Sequence, residues 1–201
     1  MQRIVSAAAR EFMDSGFRGA TTAAIARRAD VTEAQLFRYF DAKADLFRAA
    51  IFEPLNQRFS DFNARKLGDL RDPGNIRDQA RQYITDLQDF IDDNSEMLMC
   101  LLVAEAYSAG EIEGLSDVDA LGDYFVRGAA AMARRVDEGA RVDPHLMVRV
   151  SFAAVLANVL FRQWLFPRGI AGEADIDAAI AEFIIDGISA NADPGLARTT
   201  T

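Results

Sequence analysis

Two short helical patterns lie three residues apart in the segment GFRGATTAAIARRADVTEAQLFRYFDAKADL, Gly16 to Leu46, and this pair constrains the fold more than anything else in the chain. The first pattern runs from Thr22 to Ala29, with Ile25, Ala26 and Ala29 on its inward face. Thr21 precedes it as an N-cap, since its side-chain oxygen can accept from a free backbone N–H of the first turn. Asp30-Val31-Thr32 forms the break, and Asp tolerates the left-handed turn conformation better than most residues with a side chain. Thr32 caps a second helix, expected over Glu33 to Phe40, and Glu33 suits the positive end of its dipole. Leu36 and Phe40 share the inward face, which leaves Gln35, Arg38 and Tyr39 free to touch a partner. Two short helices around a tight turn, the second with a polar outer face, make a helix-turn-helix.

The residues Gly16-Phe17, Thr21-Thr22, Ile25-Ala26, Ala29, Val31-Thr32, Leu36-Phe37, Tyr39-Phe40 and Lys43 followed by Leu46 resemble the N-terminal signature of the TetR family of bacterial transcriptional regulators. That resemblance covers about a quarter of the chain. It implies a ligand-responsive regulator, a repressor that binds a palindromic operator in double-stranded DNA as a homodimer and is released by a small apolar or aromatic effector. Thr22, Gln35, Arg38, Tyr39 and Lys43 are then the candidate DNA contacts. Gln35 suits adenine and Arg38 guanine or phosphate, while Thr22, Tyr39 and Lys43 suit the backbone. Three positions depart from the family pattern. Asp30 replaces the usual Gly, Ala24 stands where an acid often completes a capping box, and Phe37 replaces a Tyr that reaches a phosphate. Phe37, Asp30 and the presence of only two residues before Arg3 to serve as a minor-groove arm keep open a second reading: a helical small-molecule-binding protein with a weakened or lost DNA-binding function.

A net charge of −9 disfavours a generic nucleic-acid binder. The distribution softens this, because residues 1–48 hold eight of the 22 Lys and Arg but only six of the 31 Asp and Glu. A mildly basic head on an acidic body meets a phosphate surface head first. Cys100 is the only cysteine, which excludes an internal disulfide and fits a reducing cytoplasm. The N-terminus lacks a signal-peptide core, and the most apolar long segment, Leu146 to Phe166, is interrupted by Arg149, Asn158, Arg162 and Gln163, so no membrane span is expected.

Helical spacing recurs along the whole chain, and no strand-like alternation is long enough to count, so the fold class is all-α. A first helix over residues 3–15 should end at Gly16. A long helix from Ala42 to Lys66 contains Pro54, which should kink it a turn earlier. Asp72 to Asn75 reads as a turn. Further helices follow over Ile76 to Asp92, over residues 96–108 (apolar nearly all round and therefore expected to be central), and from Leu121 to near Gly139. Asp143-Pro144 opens another that runs to about Phe166. The last spans Asp175 to Ala190. The expected division is a DNA-binding domain at 1–46, a ligand-binding and dimerisation domain at 47–193, and a flexible tail at 194–201.

The sequence shows no enzyme signature. It has one histidine, His145, no Gly-rich phosphate loop and no set of metal ligands, so neither catalysis, metal nor other cofactor is expected. Large apolar side chains could line a ligand pocket in the body: Phe90, Met97, Leu101, Tyr124, Phe125, Phe161 and Trp164. Glu105, Asn158 and Arg162 stand on otherwise apolar helices, where a buried polar group needs a partner, and a ligand is one such partner. A two-fold dimer is expected from the last two helices, with small Ala153 and Ala157 facing a stripe of Ile180, Phe183, Ile184, Gly187 and Ile188.

Overall fold

The structure is a computed structural model, and it describes residues 1–66, 76–108, 111–112, 119–133 and 142–192. The expected turn at Asp72 to Asn75, the helix end near Gly139 and the tail at 194–201 lie outside the described residues. All the regular structure described is helical. Two compact units emerge, and neither is continuous in sequence: the first takes Met1–Asp61 and Asn94–Leu121, the second Phe62–Asp93 and Gly122–Thr201.

The first unit begins with α1 (Gln2–Gly19), which buries Ile4, Ala8 and Phe12. Gly16 interrupts it at φ 68, a left-handed value that glycine adopts without Cβ strain, so the expected break falls where placed although helical residues resume beyond it. Helices α2 (Thr22–Ala29) and α3 (Glu33–Leu36) follow. α3 is shorter than the helix expected to Phe40; its turn continues through bonds from the Phe37 N–H to the Glu33 carbonyl and from the Tyr39 and Phe40 N–H groups to Leu36. The long helix expected over 42–66 is divided into α4 (Lys43–Phe47), a π-helical turn (Arg48–Phe52) and α5 (Glu53–Lys66). Pro54 has no N–H to offer and its ring crowds the preceding turn, so the widened turn lies directly N-terminal to it, where the kink was expected.

α7 (Ser95–Ser108) belongs to this unit and packs along α1. Its Cys100 Sγ donates to the Phe12 carbonyl at 3.3 Å, and Met97, Leu98, Cys100 and Ala104 are buried. The opposite face is not central: Leu102, Val103 and Tyr107 are exposed. An all-round apolar helix gives no amphipathic signal to say which face is covered. Phe12, Phe17 and Phe47 close the middle of the unit, with Phe47 edge-on to both at 5.0 and 5.3 Å.

The second unit is built on α6 (Ile76–Asp93), α8 (Asp119–Ala133, whose residues from Gly122 onward belong here), α9 (Pro144–Leu160), α10 (Arg162–Leu165) and α11 (Glu173–Ala192). Asp143 caps α9 by accepting from the His145 N–H at 2.8 Å, with Pro144 in the first turn, as its sequence requires. The helix stops at Leu160 rather than Phe166. Near that end the Asn158 amide donates to the Ala154 carbonyl at 2.7 Å, a side-chain bond that competes with the backbone ladder. Arg77 of α6 reaches Asp186 of α11 at 2.7 Å, and Arg81 reaches Glu182 on the same helix. Among the described residues no helix is long and apolar enough to cross a membrane.

Candidate functional site

The head is assembled by its caps. Thr21 Oγ1 accepts from the Ala24 N–H at 3.1 Å, and with alanine at that position no side chain returns the bond. Asp30 takes the left-handed conformation (φ 54, ψ 51) that ends α2. Arg3 of α1 clamps that end, donating to the Ala29 carbonyl at 2.8 Å and pairing with Asp30 at 3.2 Å. Thr32 and Gln35 form a full capping box at the start of α3. Ile25 and Leu36 are fully buried beneath the pair, and Phe40 is nearly so.

The five candidate DNA contacts divide into two groups. The Arg38 and Tyr39 side chains are exposed and make no hydrogen bond among the described residues. Thr22, Gln35 and Lys43 are engaged within the head. Thr22 Oγ1 donates to Glu33 at 2.6 Å, Gln35 serves the cap, and Lys43 Nζ donates to the Ala20 carbonyl at 3.3 Å while lying 4.5 Å from the centre of the Phe17 ring. Phe37, which was not among the candidates, is 46% exposed on the same turn. Several of the head's cations are also paired internally: Arg28 with Glu11 and Asp14, Arg18 with Glu111. The exposed Arg38 guanidinium is in no such pair and is left for a phosphate or a base.

The second unit holds a cavity of about 70 Å³. Tyr83, Ile84 and Leu87 of α6 form one wall and Tyr124, Gly128 and Met132 of α8 another. Val148, Ser151, Phe152 and Val155 come from α9, and Ile184 and Ile188 from α11. The Tyr83 and Tyr124 hydroxyls lie near enough to influence one another. Burial pushes the Tyr83 phenol well above its ordinary range and raises Tyr124 to about 12, so both are neutral at physiological pH. Gly128 permits the close approach of α8 to α9: a Cβ there would lie 2.9 Å from Val148 Cγ1.

Of the ten residues expected to meet a ligand, Tyr124 lines this cavity. Phe125 stacks edge-on to Tyr124 and Phe152 and bears the Arg149 guanidinium over its ring, so it supports the wall from outside. Phe90 packs on Phe62 at 4.9 Å. Met97, Leu101 and Glu105 stand on α7 in the first unit. Asn158 bonds its own helix, and Arg162 is tied to Asp177 at 2.6 Å. Phe161 and Trp164 stack on each other in solvent, 43% and 82% exposed, because α9 ends just before them. Residue type marked the aromatic groups, but sequence spacing did not say which of two units each would join. Tyr83 and Ser151 were missed as pocket residues. Tyr83 shares the inward face of α6 with Leu87, four residues on, and that was its only sequence signal.

The expected dimer stripe also divides. Ile180 and Ile184 are buried within the second unit, and Ile184 and Ile188 line its cavity. Phe183 and Gly187 face solvent, as does Ala153, with Ala157 half-buried.

Residues 4–50 match the family model described as bacterial regulatory proteins, tetR family. The head belongs to the TetR family. The whole chain shares its all-helical fold with solved TetR-type structures. A TetR-like transcriptional regulator from Rhodococcus sp. RHA1 superposes with a TM-score of 0.65 at 22% identity, covering 94% of each chain. The transcriptional regulator FadR from Bacillus subtilis, solved with stearoyl-CoA, gives 0.61 at 14% identity over 92% of this chain and 98% of its own. AibR, solved with isovaleryl coenzyme A and operator DNA, gives 0.63 at 20% identity over 92% and 96%. No curated protein matches the sequence.

Proposed function

We propose that this TetR-family protein is a ligand-responsive repressor: a homodimer that grips a palindromic operator through its two heads and is released when a small apolar or aromatic effector enters the cavity of the second unit. The observation that carries this reading is the surface of α3 and the turn after it. Arg38, Tyr39 and Phe37 are presented to solvent on a helix-turn-helix whose other face is fully buried. On DNA, Arg38 takes guanine or phosphate, and Tyr39 and Lys43 hold the backbone, Lys43 after leaving the Ala20 carbonyl. Thr22 and Gln35 contribute within the limits set by their bonds to Glu33 and Thr32.

Leu146, Val150, Ala153 and Ala157 recur at helical spacing along the outer side of α9, and Phe183 and Gly187 along α11. Val150 is 66% and Phe183 80% exposed, and large apolar side chains left in water at such spacing support association of two copies through these helices. AibR was solved with both isovaleryl coenzyme A and operator DNA on a fold of this kind, which supports one protein answering to a small molecule and to DNA here. The effector shifts DNA binding by its differential affinity for the two states, and by no more than that.

The test is an electrophoretic mobility shift with DNA flanking the gene. A palindromic fragment should be retarded by the free protein with two heads per site, and Arg38→Ala should abolish the shift while leaving thermal melting unchanged. Failure of every flanking fragment to shift would leave the protein a small-molecule binder with a silent head.

A further inference from the structure

The chemistry of the cavity wall defines what can occupy it. None of the described residues that line it carries a charge. Its polar groups are three hydroxyls, those of Tyr83, Tyr124 and Ser151, set in a wall of aliphatic and aromatic carbon. Each hydroxyl offers one O–H and can accept twice. Even with one phenol donating to the other, the pair keeps one donor and spare lone pairs for a guest. Ser151, on the facing helix, makes no side-chain hydrogen bond among the described residues.

An anion placed here would meet no cation among the described lining residues, and a desolvated charge without a counter-charge is strongly disfavoured. Burial also keeps both phenols protonated, so the pair cannot serve as an anionic partner for an amine at neutral pH. The small space, about 70 Å³, suits a compact frame. FadR and AibR were solved with acyl thioesters of coenzyme A, whose phosphates would find no positive side chain among these lining residues.

We propose that the effector is an uncharged, compact apolar molecule with a single hydroxyl or carbonyl group, seated with that group between the Tyr83–Tyr124 pair and Ser151. This rests on the reading of the cavity as the effector site. A hydroxyl or carbonyl oxygen accepts the spare O–H of the tyrosine pair, a hydroxyl can also donate to Ser151, and the rest of the molecule contacts Leu87, Val155 and Ile184.

The test is calorimetric titration of the full chain with p-ethylphenol, p-ethyltoluene, p-ethylbenzoate and isovaleryl-CoA. The phenol should bind about tenfold or more tighter than each of the other three, a discrimination typical of a site that satisfies a buried polar group. In Tyr83→Phe/Tyr124→Phe the advantage of p-ethylphenol over p-ethyltoluene should fall to about twofold or less, with p-ethyltoluene affinity unchanged. If the double variant does not fold, Ser151→Ala should still weaken the phenol about threefold or more and leave p-ethyltoluene alone. Tighter binding of p-ethylbenzoate or isovaleryl-CoA, or binding of none of the four, overturns the proposal. DNA retardation by the effector-free protein, measured separately, tests the regulator reading, so a retarded fragment together with tight isovaleryl-CoA binding overturns only the effector class.

Discussion

Gln35 Oε1 accepts from the Thr32 backbone N–H at 2.9 Å, while Thr32 Oγ1 accepts from the Gln35 N–H at 3.2 Å. Bidentate pairing with adenine would need that same Oε1 as acceptor and Nε2 as donor. In the capped head only the Nε2 donor is free, so Gln35 reads acceptors in the groove or gives up the cap. Two substitutions separate the roles. Gln35→Glu keeps an oxygen for the cap and adds a charge that suits a helix N-terminus, but loses the donor and opposes the phosphates. It should leave melting nearly unchanged and weaken operator binding about tenfold or more. Gln35→Ala should lose operator affinity and also about 1 kcal/mol of stability, the worth of an ordinary hydrogen bond. Equal melting of Gln35→Ala and wild type would show the box to be energetically silent.

Phe37 is half in water on the face that would meet DNA, at a position where the TetR pattern has tyrosine. Phe37→Tyr adds one O–H and no new packing. Operator affinity should rise by about 0.5–1.5 kcal/mol, the net value of one hydrogen bond, with little change in sequence preference, because a phosphate carries no sequence information. Unchanged affinity in a competition shift assay would mean that Tyr39 already holds that phosphate.

Gly128 and Val148 fix the spacing of α8 and α9. A Cβ at Gly128 would stand 2.9 Å from Val148 Cγ1, well inside the 3.5–4.0 Å of a carbon contact. Alanine gains roughly 1 kcal/mol in helix propensity, but overpacking costs about 1–3 kcal/mol and valine in a helix has little rotamer freedom to escape. Gly128→Ala should therefore be neutral to destabilising by about 2 kcal/mol. Adding Val148→Ala should expose a favourable coupling of about 1 kcal/mol or more in a double-mutant cycle of denaturant midpoints.

Much of the head was legible in sequence because its signals are local. Thr21, Asp30 and Thr32 act on neighbours three residues away, and the structure puts each in its expected conformation. Pro54 likewise marked the irregular turn before it. What sequence did not show depends on contacts far apart in the chain. Met97 and Tyr124 look alike as apolar groups on apolar helices, yet one joins Phe12's unit and the other faces Tyr83. The stripe of α11 was recognised as apolar, but periodicity does not distinguish a face buried within one chain from a face buried between two. Asn158 and Arg162 were marked as polar groups needing partners, and both partners, the Ala154 carbonyl and Asp177, lie within the protein.

The tyrosine pair gives stability a particular alkaline limb. Unfolded tyrosine ionises near pH 10, whereas burial holds Tyr124 to about 12 and Tyr83 higher still. Between those values the folded chain binds more protons than the unfolded chain, so stability is complete below pH 10 and is lost as pH rises. Tyr124 alone accounts for a fall on the order of 2–3 kcal/mol by pH 12. Burial raises Cys100 to about 11, so the descent starts near pH 9. Denaturant midpoints measured from pH 8 to 12 should decline more shallowly for Tyr83→Phe/Tyr124→Phe, and more shallowly again when Cys100→Ala is added. A slope unaltered by all three substitutions would assign the alkaline limb to other groups.

Phe183 and Ile184 are neighbours on α11 with opposite surroundings, 80% and 7% exposed, and this contrast separates association from folding. Ile184 lines the cavity, so Ile184→Asp buries a charge with no counter-charge and should unfold or precipitate the protein whether or not it dimerises. Phe183→Asp places its charge where the single chain is already wet. If the outer faces of α9 and α11 meet across a two-fold axis, Phe183 lies in that contact and its substitution sets two carboxylates against each other. Sedimentation should then give a folded monomer with wild-type circular dichroism and weakened operator binding, since two tethered heads bind far more tightly than one. Val150→Asp, on the parallel stripe of α9, should behave in the same way. A dimer that survives both substitutions undiminished would exclude these faces and move the interface elsewhere on the chain.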